Sequence, residues 1–149
     1  MNGNIRGIEC SIDNGGIGEI LLFLAAQPFE FYVSWCAKID EKQTILPATS
    51  NDFSISAQEL KELSKASIWE LVMQINPIGM KNFGIKSFDD YSKSPCLCYL
   101  IFYDCTMLDI YVKDVKLRDQ LCDLLLRLGV TDMEFITDES DRRTILHVF

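Results

Sequence analysis

Histidine is almost missing from this sequence, and with it the commonest general base: His147 is the only one among 149 residues. A catalytic cysteine needs such a base to become a thiolate. His147 stands third from the end with Ile145 and Phe149 as its same-face neighbours, the setting of a sheet residue rather than of a base. Basic residues are also in deficit, 14 Lys+Arg against 22 Asp+Glu, for a formal net charge of −8. A polyanion would be repelled unless those 14 were gathered on one face. They are not: the single adjacent pair, Arg142-Arg143, sits beside Asp138, Glu139 and Asp141. Nucleic acid and anionic membrane surfaces are therefore not expected partners.

Long apolar runs are lacking too. The longest, Ile20 to Ala26 and Cys96 to Tyr103, fall far short of the roughly 20 residues of a membrane helix. The first sixteen residues carry one Arg but no continuous apolar core and no small-residue cleavage site, so they do not read as a signal peptide. An unexported, cytoplasmic chain is expected. Cysteine occurs six times, below the roughly 8–10% of a disulfide scaffold, which reads as reduced thiols.

Cofactor fingerprints are incomplete. Gly16-Ile17-Gly18 follows a strand and opens a helix, but Leu21 stands where a dinucleotide motif needs its third glycine. Cys96 and Cys98 share one face of a strand by the period of two, with Cys105 just past the next turn, so three thiolates could approach a zinc ion. The Cys-x-x-Cys knuckle is absent, however, and apolar neighbours make these core cysteines. No cofactor, metal or catalytic residue is expected.

What is present is an ordinary soluble balance, 48% hydrophobic and 24% charged, enough for one domain over residues 1–149. Ile5 to Ile12 reads as a strand closed by Asp13-Asn14-Gly15-Gly16, and Ile17, Ile20, Leu21 and Leu24 as a helix buried nearly all round, ended by Pro28. Alternation from Phe29 to Ile39 is the clearest strand. Asp40 to Asn51 is polar and irregular. Ser56 and Glu59 form a capping box for a helix to about Ser64, and Ile68 to Ile75 alternates as a strand that Asn76-Pro77 stops.

Ser87 to Ser92 can make a further helical turn. Cys96 to Tyr103, apolar throughout, reads as a central strand in a hairpin with Met107 to Lys113. Asp114 caps a helix whose stripe is Leu117, Leu121, Leu124, Leu125 and Leu128, and Gly129 stops it. Two closing strands, Met133 to Thr137 and Arg143 to Phe149, flank a polar turn. The fold class is α+β: a single mixed, mainly antiparallel sheet with two or three packed helices.

That turn holds the recognition-loop candidates Asp138, Asp141, Arg142 and Arg143, since functional side chains favour loops on rigid sheets. Arg143 is expected at the sheet edge, gripping Asp138 or Asp141, with Arg142 free in solvent.

Arg6-Gly7-Ile8 followed by Ile12 and Asn14, Ser94-x-Cys96, Asp109-Ile110-Tyr111-Val112-Lys113-Asp114, and Thr137-Asp138-Glu139-x-Asp141-x-Arg143-Thr144 with Val148 resemble a family of short Firmicute proteins, domain of unknown function 2691. The likeness is strongest over the final 60 or so residues and does not extend to Asp40 to Pro77. It implies a stand-alone bacterial domain and brings no activity, ligand or site residue. The residues themselves suggest a small, acidic, non-catalytic protein that binds another macromolecule, with a basic protein as the expected partner, because the charge of −8 speeds association with a cationic surface. The alternative is a small-ligand binder or an enzyme with a pocket not legible in one sequence. Oligomeric state is open.

Overall fold

A computed structural model describes residues 4–38, 54–81, 84–143 and 145–146. The irregular Asp40 to Asn51, together with Ile39, Thr144 and His147 to Phe149, lies outside them. The described chain runs β1 (Ile5–Ser11), α1 (Asn14–Ala25), β2 (Phe29–Lys38), β3 (Ser54–Ile55), α2 (Ala57–Leu63), β4 (Ile68–Pro77), α3 (Phe88–Lys93), β5 (Cys98–Tyr103), β6 (Met107–Val112), α4 (Val115–Arg127) and β7 (Glu134–Thr137).

Local chemistry starts each helix where the sequence asks. Asp13, Ser56, Ser87 and Asp114 are the N-caps, each accepting a backbone N–H of the first turn, and Glu59 closes the capping box on Ser56. The Asp13 to Gly16 signal is thus a helix start rather than a separate turn. Gly129, at φ +87°, follows α4 as the left-handed stop. Leu22 reaches the surface, so α1 is buried on most faces, not all.

The strands form one sheet in the order β3-β2-β4-β5-β6-β1-β7, and every adjacent pair is antiparallel. The architecture is α+β, but the expected mixed sheet is corrected to an antiparallel one, and the described helices number four. The connections β1-α1-β2, β3-α2-β4 and β6-α4-β7 each join strands of like direction, but at least one other strand lies between the two that are joined, so no adjacent pair is parallel. The sheet buries both faces. Ile8, Val33, Met73, Leu100 and Ile110 turn to one face, which α1, α2 and α4 cover with Ile17, Ile20, Leu60, Leu117, Leu121 and Leu125. Val72, Tyr99, Ile101, Tyr111 and Ile136 turn to the other, packed with Ile85, Tyr91 of α3, Cys96 and Leu146.

Three further expectations change. β4 runs on through Asn76 to Pro77, which pairs with Phe29 at the strand end. Its simple alternation also fails: Trp69 is 48% exposed, while Gln74 and Asn76 are buried, because β4 lies between β2 and β5 with both faces covered and its register to β2 shifts twice. Cys96 and Cys98 do not share a face. The period of two holds only within a strand, and β5 begins at Cys98, so Cys98 enters the helix-side core and Cys96 the other.

The described residues of the second closing strand are not a strand: Arg143, Ile145 and Leu146 have no strand pairing, and Leu146 instead donates its N–H to Lys86 O (2.9 Å) and buries its side chain in the second core. Gly18 explains the glycine-rich stretch without a nucleotide. A Cβ there would meet Ser64 O at 2.5 Å, so the glycine lets α1 lie against the end of α2.

Candidate functional site

A cleft of about 460 Å³ opens on the second face, over β5, β6 and β1 and beside the turn after β7. The sheet supplies Glu9, Tyr103, Asp109 and Tyr111, and the turn supplies Asp141, Arg142 and Arg143. Antiparallel pairing creates its unusual feature. Glu9 of β1 stands directly opposite Asp109 of β6 and directly opposite Glu134 of β7, so three carboxylates cross three strands in one row. Directly opposed like charges destabilise a sheet.

One end of the row is compensated. Arg143 Nη2 donates to Asp109 Oδ2 at 3.0 Å, and its guanidinium lies 5.2 Å from the centroid of the Tyr103 ring. The middle is not: no cation contacts Glu9 among the described residues. Partial burial pushes the Glu9 carboxyl above its ordinary value, and Asp109, Glu134 and Asp141 push it further. Burial also raises Asp109, a shift that Arg143 partly offsets.

A second network ties the turn down. Arg6 Nε donates to Asp138 Oδ1 (2.7 Å) and Nη1 to Asp141 Oδ2 (3.1 Å), while the guanidinium stacks 3.8 Å from the Phe88 ring centroid. Asp141, its side chain only 3% exposed, also accepts from Tyr111 Oη (3.1 and 3.2 Å) and from the backbone N of Arg143 (3.0 Å). Desolvation, then the Asp141 charge, raises the Tyr111 phenol.

Strict alternation would send Arg6 to the helix side with Ile8 and Cys10. The register shift between Ile5 and Gly7 breaks that alternation and puts it on Phe88. Gly7 is needed beside it, since a Cβ there would lie 2.2 Å from Ile110 O.

Of the four loop candidates, Asp141, Arg142 and Arg143 line the cleft, and Asp138 is held by Arg6. Arg142 is exposed, as expected. The Arg143 grip is corrected: it reaches Asp109, 34 residues away, while Arg6 takes both acids of the turn. Asn4 O accepts the Asp138 N–H, which brings the turn to the start of β1, and Arg6 is then the nearer cation. Glu9, Arg6, Tyr103, Asp109 and Tyr111 were not singled out from sequence as site residues, although Arg6, Asp109 and Tyr111 stand in the segments that carry the family resemblance. A charge inside the apolar run Met107–Val112 is the signal that could have found Asp109.

Among the described residues no group of three His, Cys, Asp or Glu is placed to hold a metal ion. A smaller hollow of about 270 Å³ contains Asp13 and Asp132, whose carboxylates accept from Gly16 N and from Ser11 N. No described helix is long and apolar enough to cross a membrane.

Comparison with known proteins adds kinship. The chain is similar to "Uncharacterized protein YncE" of Bacillus subtilis (strain 168), 27% identical over 95 residues that cover 64% of this chain and 61% of that protein. The match thus spans about three-fifths of the relative's length. No solved structure matches. A family model matches residues 5–147, a span that holds Arg6, Glu9, Asp109, Asp141 and Arg143 alike, and on that match the chain belongs to the family described as protein of unknown function (DUF2691).

Proposed function

We propose that this protein is a non-catalytic binding module whose cleft takes cationic side chains of a basic macromolecular partner. The observation that carries the reading is Glu9: a half-buried carboxylate flanked by Asp109 and Glu134, beside an open cavity, with no counter-charge among the described residues. An incoming ammonium or guanidinium relieves that repulsion, and the net charge of −8 draws a cationic surface toward it. Action in the cytoplasm belongs to the same proposal and is supported by six free cysteines, four of them buried. The cavity volume supports a second reading, since about 460 Å³ falls within the roughly 300–1,000 Å³ of small-molecule sites.

The test is titration of a fluorescein-labelled basic peptide at low ionic strength. Saturable binding that weakens as salt rises and is largely lost in Glu9→Gln supports the proposal. Absence of binding to the wild type, or binding indifferent to Glu9→Gln, overturns it. A small cationic metabolite that raises the melting temperature where peptides do not would favour the second reading.

A further inference from the structure

We propose that the acidic row is a guanidinium site and that Arg143 is its intramolecular occupant, held there until an arginine of the partner displaces it. This rests on the cleft being the binding site for cationic groups, and adds to it the head group recognised and the way access is controlled.

The chemistry of recognition is displayed by Arg143 itself. Its guanidinium meets a carboxylate at 3.0 Å and an aromatic face at 5.2 Å, the two surfaces that a planar, delocalised cation uses together and a lysine ammonium uses less well. The fit is incomplete: Arg143 Nε is buried without a hydrogen-bond partner, and moving out to water would satisfy it. The row offers more than Arg143 takes, since Glu9 lies one strand beyond Asp109 and has no counter-charge among the described residues. An arginine that bridged Asp109 and Glu9 would neutralise both where Arg143 neutralises one.

The surroundings allow the exchange. Arg143 follows β7 in a segment without helix or strand, so no ladder breaks when its side chain leaves. Asp141 keeps its bonds to Arg6 and Tyr111, which hold the turn in place independently of Arg143. Two sets of ion pairs therefore divide the work: Arg6 with Asp138 and Asp141 anchors the turn, and Arg143 with Asp109 guards the cleft.

Two measurements test this. In the first, Arg143→Ala is melted with about 10 mM N-ethylguanidinium chloride or the same concentration of ethylammonium chloride. The expected result is a rise of roughly 2–5 °C with the guanidinium only, and none in the wild type, because a ligand of the folded state stabilises it by mass action. In the second, a labelled peptide with two arginines is titrated against the wild type, Arg143→Met and Asp109→Asn. Removing the competitor should tighten binding about tenfold, as when an occluded site becomes fully available, and Asp109→Asn should weaken it.

No rescue, or equal rescue by ethylammonium, overturns the guanidinium site. Peptide binding that is unchanged or weaker in Arg143→Met overturns the competing role. Guanidinium rescue without peptide binding to any variant leaves the site standing and removes the proposed function instead. Should Arg143→Ala not fold, refolding in N-ethylguanidinium but not in ethylammonium is the same readout. Arg143→Lys, which keeps the charge without the plane, then carries the peptide comparison, with tighter binding expected and unchanged binding overturning the role.

Discussion

Glu9 and Asp109 face each other across β1 and β6, yet among the described residues Asp109 has a cation and Glu9 has none. The difference sets a pH dependence whose sign follows from the direction of the Glu9 shift. A carboxyl raised on folding binds its proton more readily in the folded chain, so its contribution is favourable below the ordinary carboxylate range and is lost as pH climbs through the raised value. Glu9→Gln removes that loss. It should therefore be more stable than wild type at pH 7, by a few tenths to about 1 kcal/mol, the size of an opposed cross-strand charge pair. The gain should vanish near about pH 3.5, where the native carboxyl is itself protonated. Urea melts at the two pH values check this, and a Gln variant less stable at pH 7 would mean that Glu9 meets a cation in solution.

At the level of elements, the tail after β7 shows how a pattern can be right about burial and wrong about geometry. Ile145, Leu146, Val148 and Phe149 suggest a strand because apolar residues crowd together. Of these four only Ile145 and Leu146 are among the described residues; Leu146 is fully buried and Ile145 is 45% exposed. Leu146→Ala should cost about 2–4 kcal/mol, as for a buried leucine whose cavity cannot collapse, whereas Ile145→Ala should cost under about 0.5–1 kcal/mol. Chemical denaturation of the two variants measures the contrast. Equal losses would show that Ile145 packs as well, as a strand buried on both faces would require.

The helices were the legible part of this level. A cap is a bond between a side chain and an amide two or three residues on, so Ser56, Ser87 and Asp114 can be read without any tertiary knowledge, whereas Asp13 reads as a turn because two glycines follow it closely. The register shifts in β1 and β4 could not, because they depend on which strand lies alongside.

Over the whole molecule the strand order places β4, β5 and β6 inside and leaves β7 as an edge carrying the anchored turn. Stability should follow that order. Native-state hydrogen exchange should find the slowest amides in β5 and its neighbours, while the Asp138 and Asp141 amides open at lower free energy. Arg6→Ala should speed those two about tenfold or more, the equivalent of losing a charge-assisted bond of about 1.5 kcal/mol, and leave β5 unchanged in relative protection. Uniform protection throughout would show that turn and sheet open as one unit.

Sequence alone determined the α+β class, the starts of α2, α3 and α4 and the central apolar strand, since each depends on composition or on chemistry within a few residues. It also marked the turn holding Asp138, Asp141, Arg142 and Arg143, because a polar cluster between apolar segments is a local signal. Tertiary structure decided which arginine meets which acid. Arg6 and Asp141 are separated by 135 positions, Arg143 and Asp109 by 34, and the row of Asp109, Glu9 and Glu134 exists only because antiparallel pairing sets three distant strands in that register. Register is a property of neighbours in space, fixed by the packing of both sheet faces, and no periodicity along one chain segment contains it.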